Sequence, residues 1–63
     1  MEIDKIKLQL LLAEKQLTSK ELAEKAGVSQ LTITKIMQDK KVKPITIGKI
    51  AAALSIDPAE LII

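Results

Sequence analysis

The sequence predicts an all-α fold, a compact bundle of five short helices. A helix-capping residue recurs five times, each time with an apolar residue before it and another four positions after it. This is the pattern of an N-cap flanked by a hydrophobic staple. Gly27 and Pro44 stand where helices are expected to stop. No segment alternates apolar and polar residues cleanly enough for a β-strand, although KPITI is ambiguous.

Each predicted helix begins at a capping residue. The caps are Asp4, Thr18, Ser29, Thr46 and Asp57, and the helices are expected near residues 4–15, 19–26, 30–38, 47–54 and 58–62. Glu21, three residues after Thr18, completes a capping box for the second helix. Glu60 does the same after Asp57, and Pro58 occupies the favoured first position of the fifth helix.

The composition bounds the size and chemistry of the protein. With 63 residues, the chain is expected to form one domain over residues 1–63, without room for a second core. Nearly half of the residues are apolar, yet none is aromatic, and cysteine and histidine are absent. Disulfides, a thiol nucleophile, imidazole catalysis and ordinary zinc sites are therefore excluded. We expect no enzyme, no catalytic residue, no metal site and no cofactor.

The charge balance is mildly basic. Ten lysines oppose eight acidic residues, which gives a net charge of +2, and there is no arginine. This excess alone is too small to indicate nucleic-acid binding. No run of apolar residues is long enough to cross a membrane. The start MEIDK lacks the pattern of a secretory signal, so a cytoplasmic location is expected.

Two predicted helices are joined by the short segment AGVS, whose alanine, Ala26, is the last residue of the first helix. Their inward stripes are Leu22, Ala23 and Ala26 on the first, and Ile33, Ile36 and Met37 on the second. A turn this short holds the two helices at a steep angle. It requires a small side chain where the helices approach, at Ala23, and a conformationally permissive residue in the turn, at Gly27.

This segment resembles the helix-turn-helix of the phage repressor and Cro family, also called the xenobiotic-response-element type. The resemblance runs from the first helix through LTSKELAEKAGVSQLTITKI to IGKIAAALSIDPAEL, nearly the whole chain. It implies a lambda-repressor-like domain that binds double-stranded DNA as a homodimer and regulates transcription. In that family the second helix of the motif enters the major groove, and the first lies across the backbone.

The resemblance also implies site residues. Positions that face the groove are matched by Ser29, Gln30, Leu31, Thr34 and Lys35, and positions that touch the DNA backbone by Ser19, Lys40, Lys41 and Lys43. The side-chain chemistry agrees with these roles. Glutamine can bond an adenine edge bidentately, lysine can reach guanine acceptors, and leucine and threonine methyl groups can pack on thymine. Helix N-terminal amides near Ser19 and Ser29 can receive phosphate oxygens.

Each of these positions also has a purely structural interpretation. Ser29 is expected to act first as a helix cap. For Gln30 and Thr34 the alternative is a solvated helix face, and the motif favours base contact. For Leu31, base contact and an incidental surface position are equally well supported, because a lone surface leucine needs no explanation. Lys35 is the only charged residue in the middle of the groove-facing side, which favours a role in DNA contact. Any one loop lysine could simply be solvated, but the cluster of three favours phosphate contact.

The sequence departs from the family pattern at several positions. Ser19 is shorter than the glutamine that is frequent there, and Asp39 replaces a common glycine with a negative charge that opposes phosphate. Without arginine there is no bidentate guanine fork, so sequence readout is expected to be modest. Where many members pair an arginine with a glutamate, this chain has Leu12 and Met37, which we expect to pack together.

A second hypothesis, from another functional class, is a helical protein-interaction module. Leu8 and Leu11 match core positions of the first helix, whereas Leu10 points elsewhere. The segment ELII leaves two isoleucines, Ile62 and Ile63, at the end of the sequence. In this alternative, Leu10, Leu31 and these isoleucines bind another protein, because a grouped set of exposed apolar residues marks a partner surface.

Overall fold

A computed structural model describes all 63 residues, as four α-helices and one 3-10 turn. The helices are α1 (Lys5–Lys15), α2 (Ser19–Ala26), α3 (Gln30–Met37) and α4 (Pro44–Leu54), and the 3-10 turn is Pro58–Glu60. The prediction of an all-α fold is confirmed. The count of five helices is not, because the segment predicted as a helix over 58–62 forms only the single 3-10 turn.

Four of the five predicted caps form, at Asp4, Thr18, Ser29 and Asp57, although Asp57 and its capping box with Glu60 begin the 3-10 turn and not an α-helix. The Oδ1 atom of Asp4 accepts from the amide of Lys7 at 3.2 Å. The Oγ atom of Ser29 accepts from the amide of Thr32 at 3.1 Å. Because each cap satisfies an amide that has no partner within its helix, these starts are set by local sequence.

The start of α4 differs from the prediction. The helix begins at Pro44 rather than near residue 47, and its N-cap is Lys43, which makes no side-chain cap bond. Proline suits the first helical position because that position has no use for an N–H donor. Thr46 therefore lies inside the first turn, where its amide donates to the carbonyl of Lys43 at 3.0 Å. Ile45, expected to act as a hydrophobic staple, is 66% exposed instead.

The core consists of apolar side chains alone. No polar or charged residue is buried, and no buried side-chain nitrogen or oxygen lacks a partner. α2 packs against both α3 and α4, and α4 packs against the 3-10 turn. The buried residues are Ile3, Leu8, Leu12, Leu22, Ala23, Ile33, Ile36, Ile47, Ile50, Ala51, Ala53, Leu54 and Leu61. Burial of apolar surface is therefore the main stabilising term.

The turn between α2 and α3 has the features predicted for it. Ala23 is buried where the two helices meet. Gly27 ends α2 in the left-handed conformation, with φ at 72°. The amide of Val28 then returns to the carbonyl of Ala23 at 3.0 Å. No atom lies within 4 Å of a Cβ placed on Gly27, so its backbone conformation, not lack of space, favours glycine.

The first residues of the chain contact both the C-terminal segment and the loop between α3 and α4. Ile3 forms an isolated antiparallel bridge with Ile62. Both Ile3 and Leu61 are buried in the core. On the other side, the amide of Val42 donates to the carbonyl of Met1 at 3.0 Å. The extended backbone at Ile62 serves this bridge, and it cannot also continue a helix beyond the 3-10 turn.

The capping box of α2 places a charge at its N-terminus. The amide of Thr18 donates to Oε1 of Glu21 at 2.9 Å, and the Thr18 hydroxyl oxygen accepts from the Glu21 amide at 3.1 Å. These bonds, the one from the Thr18 amide above all, lower the pKa of Glu21 below its ordinary value of 4.5.

We expect Leu12 to pack on Met37. Leu12 is buried, Met37 is half-buried against the same core, and Nε2 of Gln9 lies 3.7 Å from the Met37 sulfur, which brings α1 to the end of α3. Leu12→Arg and Met37→Glu should each destabilise by about 2–5 kcal/mol, since each places an unpaired charge in an apolar site. The double variant should recover much of this loss by forming an ion pair. Urea unfolding of the four proteins measures the coupling, and strictly additive losses would show that the side chains do not touch.

The Glu21 carboxylate should make stability depend on acid pH. Because its pKa is lower in the folded chain, ionised Glu21 contributes stability above its unfolded pKa, near 4.5, and the contribution is lost as pH falls through the folded pKa. Glu21→Gln retains the capping geometry and removes the titration. Urea unfolding at a series of pH values should show the advantage of the wild-type chain over this variant shrinking in acid. A difference independent of pH would contradict the assignment.

Candidate nucleic-acid interface

α3 presents one face to the core and the opposite face to solvent. Ile33 and Ile36 are buried in the core. With about 3.6 residues per turn, the remaining positions point sideways and outward. Four side chains predicted to reach bases lie on this helix and are all exposed, namely Gln30, Leu31, Thr34 and Lys35. The structure thus groups them on the solvent side of the second helix of the motif.

One further residue extends this face, Gln38. It ends α3 as the C-cap and is exposed. It follows Leu31 by seven residues and Thr34 by four, which places it on the same side of the helix. The predicted helix 30–38 already contained it, and this spacing was the signal that identifies it as a member of the face.

Two hydroxyl groups of the motif are committed to local bonds. Oγ1 of Thr34 donates to the carbonyl of Gln30 at 3.2 Å. Oγ of Ser29 accepts from the Thr32 amide and lies 2.9 Å from the Thr32 hydroxyl oxygen. Ser29 is therefore a helix cap, as predicted, and Thr34 has its hydrogen occupied. The remaining lone pairs and the Thr34 methyl group are what these residues can offer to a ligand.

Three loop lysines, Lys40, Lys41 and Lys43, follow α3 and are all exposed. Between them, Val42 is half-buried and packs against the core. Its amide is held by the carbonyl of Met1 at 3.0 Å. Because Val42 anchors the loop, the lysines stay on its outer side. None of them takes part in an ion pair, since the single ion pair of the chain involves other residues.

That ion pair joins Lys5 and Asp39, whose Nζ and Oδ2 atoms lie 3.0 Å apart. Asp39 adopts φ of 61° directly after α3, a left-handed conformation that aspartate tolerates better than most residues. Its negative charge, expected to oppose phosphate beside the loop lysines, is thereby offset by Lys5. The pair is exposed, so its contribution to stability is small.

The N-terminus of α2 offers free backbone donors. Ser19, its first residue, is half-buried, and Lys20 beside it is exposed. The amides of both residues donate to no carbonyl of the chain. The positive end of the helix dipole and these amides suit an anion, and Lys20, which sequence reasoning passed over, adds a charge in the first turn. The Glu21 carboxylate lies at the same end and opposes an anion.

Other kinds of site find less support in the structure. No group of three acidic side chains is arranged to hold a metal ion. None of the helices combines the length and apolarity that crossing a bilayer requires.

Comparison with known proteins agrees with the helix-turn-helix arrangement of α2 and α3. Among curated proteins, none matches the chain. A family model described as the Cro/C1-type helix-turn-helix DNA-binding domain matches residues 7–63, which span every helix apart from the first two residues of α1. The resemblance drawn from the sequence is therefore confirmed, and the chain belongs to the Cro/C1-type helix-turn-helix DNA-binding domain family.

Proposed function

We propose that this protein binds duplex DNA in a sequence-specific manner as a homodimer and acts as a repressor-like regulator of transcription. DNA binding and a role in transcription regulation follow from membership of the family. The observation that supports the finer proposal is the solvent face of α3. It belongs to the second helix of a helix-turn-helix, and its Gln30 and Lys35 side chains are exposed.

In this proposal α3 lies in the major groove and reads bases. Gln30 bonds an adenine edge, and Lys35 reaches guanine acceptors. Leu31 and the Thr34 methyl group pack on thymine methyl groups, while Ser29 adds a contact beside its capping role. The exposure of Leu31, at 62%, supports this assignment, because a major-groove contact buries an apolar side chain that the fold itself leaves in solvent.

The DNA backbone is held at two places. The first is the N-terminus of α2, where Ser19 and the free amides receive phosphate oxygens. The second is the loop after α3, where Lys40, Lys41 and Lys43 neutralise phosphates. These contacts set the position of the protein on the duplex, and they carry no sequence information of their own.

The alternative is a helical module that binds another protein. The observation in its favour is the exposure of Leu10, Leu31 and Ile63, the last of which is 83% exposed. Sequence preference separates the two proposals. A domain that reads bases should bind one duplex more tightly than others, whereas the lysines of a protein-interaction module would bind any duplex alike at low salt.

Binding to a mixed-sequence duplex should be steeply salt-dependent. If the three loop lysines neutralise three phosphates, the log–log slope of affinity against salt should be about −2.7 per bound copy, since each contact contributes roughly −0.9. Fluorescence anisotropy across a salt series measures it. A variant with Lys40, Lys41 and Lys43 changed to glutamine serves as the control and should flatten the slope. Absence of binding at low salt would exclude the proposal for this chain.

Base reading and backbone contact should separate in two alanine variants. Gln30→Ala should cost about 1–3 kcal/mol on the preferred site and relax the preference at one base pair. Lys43→Ala should weaken binding to all sequences alike and make the salt slope shallower, because it removes only a phosphate contact. Selection from a randomised duplex library, followed by affinity measurement, tests both. If Gln30→Ala left the sequence preference unchanged, Gln30 would be a solvated residue of the helix face and not a base-reading one.

A further inference from the structure

α1 carries a second apolar stripe, on the side that faces away from the core. Ile6 is 59% exposed and Leu10 65% exposed, and Ala13 is exposed as well. These residues are four and three positions apart, so they form one line along the helix. Leu8 and Leu12, which are buried, lie on the opposite side. We call the line of Ile6, Leu10 and Ala13 the outer stripe.

Two opposite charges border the outer stripe. Lys7 and Glu14 are seven residues apart, almost two full helical turns, so both stand on the same flank of the stripe. Both are exposed. Neither takes part in an ion pair, because the single ion pair of the chain joins Lys5 and Asp39. The flank therefore has a positive N-terminal half and a negative C-terminal half, each without a partner.

This arrangement is complementary to itself. A two-fold axis that crosses α1 at Leu10 pairs the helix with an antiparallel copy. It brings Leu10 against the partner's Leu10 and Ile6 against the partner's Ala13. The same axis sets Lys7 opposite the partner's Glu14, twice by symmetry, because an isologous contact repeats every pairing. In a parallel two-fold pairing, the flank that carries Lys7 and Glu14 would lie on opposite sides of the two helices and these charges would not meet, so only the antiparallel pairing joins them.

We propose that the outer stripe of α1 is a homodimer interface, in which two copies of this chain pair their first helices antiparallel through Ile6, Leu10 and Ala13, with Lys7 and Glu14 bonding across the pair. The inference names the contact surface for the homodimer in the proposed function and rests on it in that respect. Its test needs no DNA.

The size of the stripe sets the strength of the contact. A helix of 11 residues is about 16 Å long, at roughly 1.5 Å per residue. A contact along so short a helix buries less than the roughly 1,200 Å² of a stable interface. The dimer is therefore weak and reversible.

A competing apolar surface supplies the matched control. An apolar depression of about 270 Å³ is lined by Met1, Pro44, Ile47, Pro58, Ala59 and Ile62. The exposed Ile63 follows Ile62 at the end of this surface. Ile63→Glu places a charge beside the depression, and Leu10→Glu places one at the centre of the outer stripe. Both positions are exposed, so neither variant removes a core contact.

The decisive experiment is a charge exchange followed by sedimentation equilibrium without DNA, from micromolar to millimolar protein. Lys7→Glu or Glu14→Lys alone converts both cross-pairs from attractive to repulsive, and each should raise the dimer Kd by at least about tenfold, or about 1.4 kcal/mol. The double variant exchanges the two signs and should restore the wild-type Kd. Leu10→Glu should abolish the dimer, whereas Ile63→Glu should leave it intact.

The single charge variants remain folded for a physical reason. Lys7→Glu adds a negative charge near the helix N-terminus and Glu14→Lys adds a positive one near the C-terminus, and both agree with the helix dipole. Circular dichroism should therefore show a Tm no lower than that of the wild-type chain. A loss of dimer in these variants then reports the interface and not unfolding.

Three outcomes would overturn the inference. They are a wild-type chain that stays monomeric over the whole range, a double variant that stays as weak as the singles, and a dimer that is lost in Ile63→Glu but retained in Leu10→Glu. Failure of the proposed function looks different. If dimerisation responds to the charge variants as expected but the wild-type chain binds no duplex at low salt, this inference holds and the proposed DNA binding fails. If the wild-type chain binds DNA but the charge variants do not change its dimerisation, the proposed DNA binding holds and this inference fails.

Discussion

The close packing of α2 on α3 is the constraint on which the rest of the structure depends. Ala23 is buried at the contact, and Gly27 takes the left-handed backbone conformation that turns the chain. The return bond from Val28 to Ala23 leaves the turn little freedom. A larger side chain at residue 23 would push the helices apart, and α3 would then present a different set of residues to solvent.

Because the core contains no polar group, few polar side chains are needed to hold the fold together. The polar bonds that the fold requires are the helix caps, such as the Thr18–Glu21 box of α2, and they are made where helices begin. Most of the other polar and charged side chains have no partner within the chain. The exceptions include Thr34, which bonds the Gln30 carbonyl, and the pair of Lys5 and Asp39, which links the start of α1 to the segment that follows α3.

The chemistry available to this protein is that of lysine without arginine. A lysine acts as a mobile point charge, whereas an arginine fork fixes direction through two hydrogen bonds. In the proposed function, charge and helix amides therefore supply the affinity for phosphate, and Gln30 and the apolar contacts of α3 supply direction. The proposed pairing of two copies through the outer stripe of α1 would add a second set of such contacts.

The local signals in the sequence predicted most of the fold and most of the candidate interface. The caps at Asp4, Thr18 and Ser29, the αL residue Gly27 and the small Ala23 each act within one turn of helix, so neighbouring residues suffice to recognise them. The exposure of α3 followed from the helical spacing of Ile33 and Ile36.

The failures of prediction have physical causes too. At α4 two local signals competed, and proline at the first position prevailed over a threonine cap, since it needs no donor there. Gln38 was passed over although helical spacing placed it on the face. Residues 58–62 read as a helix because their capping box is local, whereas the bridge that ends the 3-10 turn joins Ile62 to Ile3.

The sequence by itself determined the helices that start at local caps, the tight turn and the identity of the solvent-exposed side chains of α3. Only the tertiary structure decided which apolar residues stay uncovered. Ile6 and Leu8 look alike in the sequence, yet Leu8 is buried and Ile6 is exposed. The physical reason is that helical periodicity orients a side chain relative to its own helix, while burial depends on which distant segments pack against that side.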